Sequence, residues 1–192
     1  MTSNEDALRR LFGVAGGGGV NWPVLSAIFP GQSAPVVRVN EGHHSLDSVV
    51  WGFPPPPQDN RPVTNVRNLK SPFWRTWLRD NRCLIPATAF CEWQDTKPRK
   101  TPIWFRTLDQ DVFCFAGIWR PTPAGAVFAM LTTEANALVR PVHAKAMPVI
   151  LAAGDVDVWL RGEEAAALAL VRPYPAQSME ICQQGGRAYQ PA

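Results

Sequence analysis

Between Cys83 and Thr132 the chain places five apolar, extended runs in close succession: Cys83 to Pro86, Ala89 to Trp93, Pro102 to Arg106, Val112 to Trp119 and Ala126 to Thr132. β-Branched and aromatic residues fill them, and turn-forming or charged residues separate them, which is the pattern of strands. Two more strands are predicted over Pro35 to Val39 and Ser48 to Trp51, and a last one over Met179 to Cys182. Helices are predicted around them. Ser3 caps the first with Asp6 as its box partner, Ala7, Leu8, Leu11 and Phe12 share its face, and Gly13 stops it. Ser71-Pro72 opens the second, with Phe73, Trp74, Trp77 and Leu78 as its apolar side. Val156 to Leu160 and Glu163 to Leu170 follow late in the chain. No regular βαβ alternation links these elements. The expectation is one α+β domain over residues 1–192, a distorted β-barrel or curled mixed sheet flanked by helices.

Composition narrows the function classes. Of 192 residues, 46% are hydrophobic, enough for a core and against disorder. No apolar run approaches the ~20 residues of a membrane span. Arg9 and Arg10 interrupt any signal-peptide core, so a cytoplasmic protein is expected; a monomer is expected as well. The four cysteines, Cys83, Cys91, Cys114 and Cys182, show no CxxC spacing and read as free thiols. His43-His44 has no cysteine partner near it, and no metal or cofactor is expected. Gly16 to Gly19 is a loop without the Lys-Ser/Thr of a phosphate-binding motif, and Pro54 to Pro57 is a polyproline turn. A net charge of +3, carried mostly by arginine, permits a polyanionic partner.

Four segments carry residues that could do chemistry. Glu92 lies in the apolar run Phe90-Cys91-Glu92-Trp93, where strand alternation sets it on the face of Phe90 and opposite Cys91. Partial burial would raise its pKa and suit general acid–base work; a strand-edge Glu paired with an Arg fits the same letters. His143 precedes the apolar stretch Met147 to Leu151, as a proton-transfer group or as a structural histidine. Asn65 and Arg67 alternate on a short extended segment, so that one could orient a reacting group and the other hold a phosphate. Trp51, among eight tryptophans, could stack on an unpaired base or simply pack.

Six ordered blocks then share one resemblance. Trp51-Gly52 with its prolines, Asn65-Val66-Arg67, Arg82-Cys83-Leu84-Ile85-Pro86 through Phe90-Cys91-Glu92-Trp93, Phe115-Ala116-Gly117-Ile118-Trp119, Leu131-Thr132-Thr133-Glu134-Ala135-Asn136, and His143 through Leu151 resemble the signature segments of the SOS-response-associated peptidase family. That resemblance implies an α+β domain around a distorted barrel and a cleft for single-stranded DNA containing abasic sites. It also implies a reaction: an N-terminal cysteine amine forms a Schiff base with the ring-opened sugar aldehyde, and its thiol closes a thiazolidine. By the same resemblance Glu92 moves protons for the amine and imine, His143 promotes sugar ring opening, and Asn65 orients the cysteine. Arg67 and Lys145 would hold phosphates and Trp51 would stack against the strand. An autopeptidase activity goes with the family name.

The chain departs from the family pattern in three places. It begins Met1-Thr2-Ser3, with no cysteine before Cys83, although the chemistry needs amine and thiol on one residue. The expectation is a start codon set a few residues late, with an in-frame Met-Cys upstream in the genomic DNA. Asn68 stands where an acidic residue often follows the Arg. His143-Ala144-Lys145-Ala146-Met147 is one residue longer than the family's His-x-Arg-Met, and lysine lacks the bidentate geometry of arginine. Two other classes fit the letters: a non-covalent single-stranded-DNA-binding module that has lost its nucleophile, and a thiol hydrolase using Cys91 or Cys83 with His143 as base.

Overall fold

The computed structural model describes residues 5–14, 27–56, 60–186 and 188–189. The Ser3 cap, the Gly16 to Gly19 loop and Pro57 lie outside the described residues. The first helix, α1, runs Glu5–Leu11 and buries Leu8. Strands β1 (Ser33–Asn40) and β2 (His43–Trp51) form a hairpin through Glu41-Gly42, both at positive φ. They are longer than predicted because the polar ends, including His43 and His44, continue the ladder. A two-residue strand, β3 (Asn65–Val66), leads to α2 (Pro72–Asp80), whose Ser71 hydroxyl accepts from the Phe73 amide. Trp74 and Leu78 of α2 are buried; Phe73 is displaced to the rim, edge-on to Trp74.

The five central runs become β4 (Arg82–Ala87), β5 (Phe90–Gln94), β6 (Thr101–Thr107), β7 (Phe113–Thr122) and β8 (Gly125–Thr133). The pairings β7–β4, β4–β1, β1–β2, β2–β8 and β8–β7 return to their start, so these strands close a five-stranded mixed barrel. Only β2–β8 is parallel within it. β3 also adds to β8 in parallel. The Met147 to Leu151 run splits at Val149 into β9 (Met147–Pro148) on β8 and β10 (Ile150–Leu151) on β7. A separate antiparallel sheet consists of β5, β6 and β11 (Met179–Gln184). Short helices α3 (Val156–Arg161) and α4 (Glu164–Ala169) complete the α+β fold.

Strand alternation sorts the barrel side chains into two cores. Leu84, Ala116, Ile118, Ala129 and Leu131 pack with Trp74, Leu78 and Trp159 of the helices. Cys83, Ile85, Phe115 and Phe128 pack on the other face with Phe90, Ile103 and Phe105 of the small sheet. The helices thus back one face, and the other is left for a cavity. Gly52, at φ 135, turns the chain out of β2; a Cβ there would meet Pro62 at 3.0 Å, so the Trp51-Gly52 pair admits no larger second residue without strain.

Arg82 ties the helices to the barrel. It is 8% exposed, and its guanidinium donates to the carbonyls of Leu78 (2.9 Å) and Arg79 near the end of α2, and of Trp159 and Gly162 around the end of α3. Carbonyls at a helix C-terminus lie beyond the last intrahelical donors and need partners from elsewhere. Arg82→Met is expected to cost about 2–4 kcal/mol, read as a lower urea midpoint, because several buried acceptors lose their donor together.

Candidate active site

β5 lines a cavity of about 360 Å³, and Glu92 points its carboxylate to His143, with Oε2 2.5 Å from Nδ1. The two residues lie 51 positions apart, and they line the cavity together with Asn65 and Trp51. Glu92 sits opposite Ile103 in the β5–β6 ladder, which fixes its height in the wall. Desolvation raises its pKa above the ordinary carboxylate value, and the hydrogen bond and charge of His143 offset part of that rise. When Glu92 is ionised it is acceptor-only, so Nδ1–H donates and Nε2 is the ring nitrogen left for a substrate. The partner of Glu92 is therefore a histidine, not the arginine that a strand-edge glutamate suggests.

His143 arrives on the segment between β8 and β9. Its amide donates to the Val139 carbonyl, 2.9 Å away. Asn136, 7% exposed, holds that segment: its Oδ1 accepts from the amides of Leu138 (3.0 Å) and Val139 (2.9 Å), and its Nδ2 donates to the Tyr174 carbonyl (2.8 Å). Asn136 is thus a positioning residue; the mixed polar block Thr132-Thr133-Glu134-Ala135-Asn136 that it closes gives no local sign that the Asn136 side chain is buried. Asn136→Ala is expected to cost about 1–3 kcal/mol of stability, since buried amides and a carbonyl lose partners. Near-ultraviolet melting measures the loss, and the His143 ring resonances should broaden as its segment loosens.

Asn65 is exposed on β3, opposite Met130 in the parallel pairing with β8. Trp51 has its ring stacked on Phe128 (centroids 6.1 Å, planes 10° apart), and its Nε1 donates to the Thr64 carbonyl, 3.0 Å away. That bond also fixes the chain entering β3. Arg67 and Lys145 are exposed and lie outside the cavity lining, but Arg67 donates to the Lys145 carbonyl, so the two basic segments are tied together. The extra residue after His143 falls in this tied loop. Cys91 and Trp93 also border the cavity, because side chains from both faces of β5 reach its mouth. Tyr189 closes a further wall, its ring 5.7 Å from that of Trp104.

The profile of the SOS response associated peptidase (SRAP) family matches residues 1–185. The chain belongs to that family. Among its SRAP relatives, Bacillus subtilis (strain 168) abasic site processing protein YoqW is 29% identical over 172 residues, covering 81% of this chain and 76% of that one. YoaM, an abasic site processing protein of the same organism, is 28% identical over 173 residues, covering 81% and 75%. A solved protein from Bordetella bronchiseptica shares the fold of this chain at a TM-score of 0.76 and 22% identity, covering 97% of this chain and 96% of its own. A phage-related protein of that species superposes at a TM-score of 0.69 and 20% identity, covering 93% and 90%.

Proposed function

We propose that this SRAP protein processes abasic sites in single-stranded DNA by covalent capture of the sugar aldehyde, with Glu92, His143 and Asn65 as catalytic residues. The observation that carries the reading is the Glu92–His143 pair set with Asn65 around one cavity. The abasic-site naming of YoqW and YoaM supports it.

In this reading His143, as the imidazolium, gives its Nε2 proton to the sugar ring oxygen while the anomeric hydroxyl loses its own to water, and the C1–O ring bond breaks to leave the aldehyde. An N-terminal α-amine adds to that carbon, Glu92 relays the protons, and water leaves to give the imine. A thiol on the same residue, which a cysteine-led chain supplies and neither Met1 nor Thr2 does, then adds across the imine and closes the thiazolidine. Asn65 orients the amine; Arg67 and Lys145 hold phosphates, and Trp51 forms the stacking wall. A sugar without a base needs no extrusion from a stack, which lowers the usual cost of a few kcal/mol. Self-processing by the peptidase activity in the family name uses the same acid–base pair.

The test is incubation with abasic single-stranded DNA followed by boiling. A heat-resistant band shift supports covalent capture. Retention that vanishes with salt, with no heat-resistant species even when a free N-terminal cysteine is supplied, supports the non-covalent binding module instead.

A further inference from the structure

We propose that the tip of the β5–β6 hairpin is a second grip on the DNA strand, in which Lys97 and Arg99 hold backbone phosphates a few nucleotides from the abasic sugar. The inference rests on reading the cavity as an abasic-site pocket. The hairpin that carries Glu92 continues past Trp93, an exposed ring at the cavity mouth, into the tip at residues 95–100. At about 3.3 Å per strand residue, that tip stands roughly 13–17 Å from Glu92.

The tip begins at Asp95, directly after the last ladder pair of β5 and β6, Gln94 opposite Thr101. The Asp95 carboxyl is held below its ordinary range first by Lys100, 2.9 Å away, and in smaller part by the charge of His143. Its backbone is fixed locally: the Thr96 hydroxyl meets the Arg99 carbonyl (2.7 Å) and the Thr101 hydroxyl (2.6 Å), and the Thr96 amide donates to Gln94 (3.0 Å). Of the three cations there, Lys100 is engaged by Asp95. Lys97 and Arg99 are exposed and have no ion pair among the described residues. Two cations without an ion pair among the described residues, on the turn of the hairpin that lines the cavity, fit a polyanion running out of that cavity. Arg67 and Lys145 supply positive charge on another segment, so the strand is held from two elements.

The experiment measures Kd for an abasic single-stranded oligonucleotide across a salt series, with the parent and with Lys97→Gln/Arg99→Gln. Loss of two phosphate contacts is expected to reduce the log–log salt slope by about 1.4, at ~0.7 per contact on a single strand. Affinity at moderate salt should fall several-fold, while the preference for an abasic over an intact strand stays unchanged, because phosphate contacts carry no sequence information. Lys100→Gln should alter the slope less, and an oligonucleotide too short to reach the tip should bind parent and variant equally. An unchanged slope in the double variant, with a parent that prefers the abasic strand, overturns the hairpin grip alone. A parent with no preference for the abasic strand overturns the cavity reading and this inference with it.

Discussion

Incubated with abasic single-stranded DNA, the chain beginning Met1-Thr2-Ser3 is expected to give no heat-stable adduct, and the same chain led by a free N-terminal cysteine is expected to give one. Ring closure needs an amine and a thiol on one residue. If Met1 is removed, Thr2 presents an amine and a hydroxyl, and a hydroxyl is a far weaker nucleophile at neutral pH. The internal cysteines do not substitute. Cys83 and Cys114 are buried, and desolvation holds their thiols protonated far above neutrality. Cys91 borders the cavity, but burial, with the Glu92 charge behind it, pushes its thiol up to about 11. It carries no α-amine, so an aldehyde adding there gives only a reversible hemithioacetal. Gel mobility after boiling reads the outcome. A heat-stable adduct from the Thr2 form would contradict this part of the account.

The second large effect is expected from Glu92→Gln. In the cysteine-led form, single-turnover adduct formation should slow by about 10²–10⁴-fold, the range for removal of a positioned acid–base group. Affinity for the abasic strand should change little, because the amide keeps the shape and a hydrogen-bonding oxygen for His143. The pH profile carries a sharper signature. The rate should rise through the Glu92 titration at a pH above the ordinary carboxylate range, and this limb should be absent in the variant.

The same shift makes Glu92 a liability to the fold. Below the ordinary carboxylate range it is protonated in folded and unfolded chains alike, so Glu92→Gln should leave the melting temperature unchanged there. As pH rises through the raised folded value, the parent keeps a desolvated carboxylate and loses stability relative to the neutral variant. The melting temperature of Glu92→Gln should therefore exceed that of the parent at neutral pH, with the gap closing on acidification. Activity is commonly traded against stability in this way when a site needs a desolvated charge.

Much of this architecture is legible in the letters. The runs from Cys83 to Thr132 are dense in β-branched and aromatic residues, and each forms a strand close to its predicted bounds. The barrel closure is not legible, because the parallel meeting of β2 and β8 joins segments some 77 residues apart with no local signal (Val50 opposite Val127). The two-residue strands at Asn65 and Met147 are too short for periodicity to declare. Glu92 could be singled out from its apolar frame, yet its partner could not. Nothing near Glu92 in sequence points to His143, and only the ordered blocks suggested that the two meet. Arg82 shows the opposite failure. It read as one letter of a shared block, although a lone charge between a helix end and a wholly apolar strand signals a buried cap for helix carbonyls.

If Glu92 and His143 act as one unit on the sugar, a double-mutant cycle on the single-turnover rate of adduct formation shows it. With the cysteine-led protein, Glu92→Gln and His143→Asn are each expected to slow the reaction strongly, and the double variant to be no slower than the slower single, since each substitution stops proton transfer through the same pair. Rates within about threefold of the parent in all three variants, a difference under ~1 kcal/mol, would contradict the account.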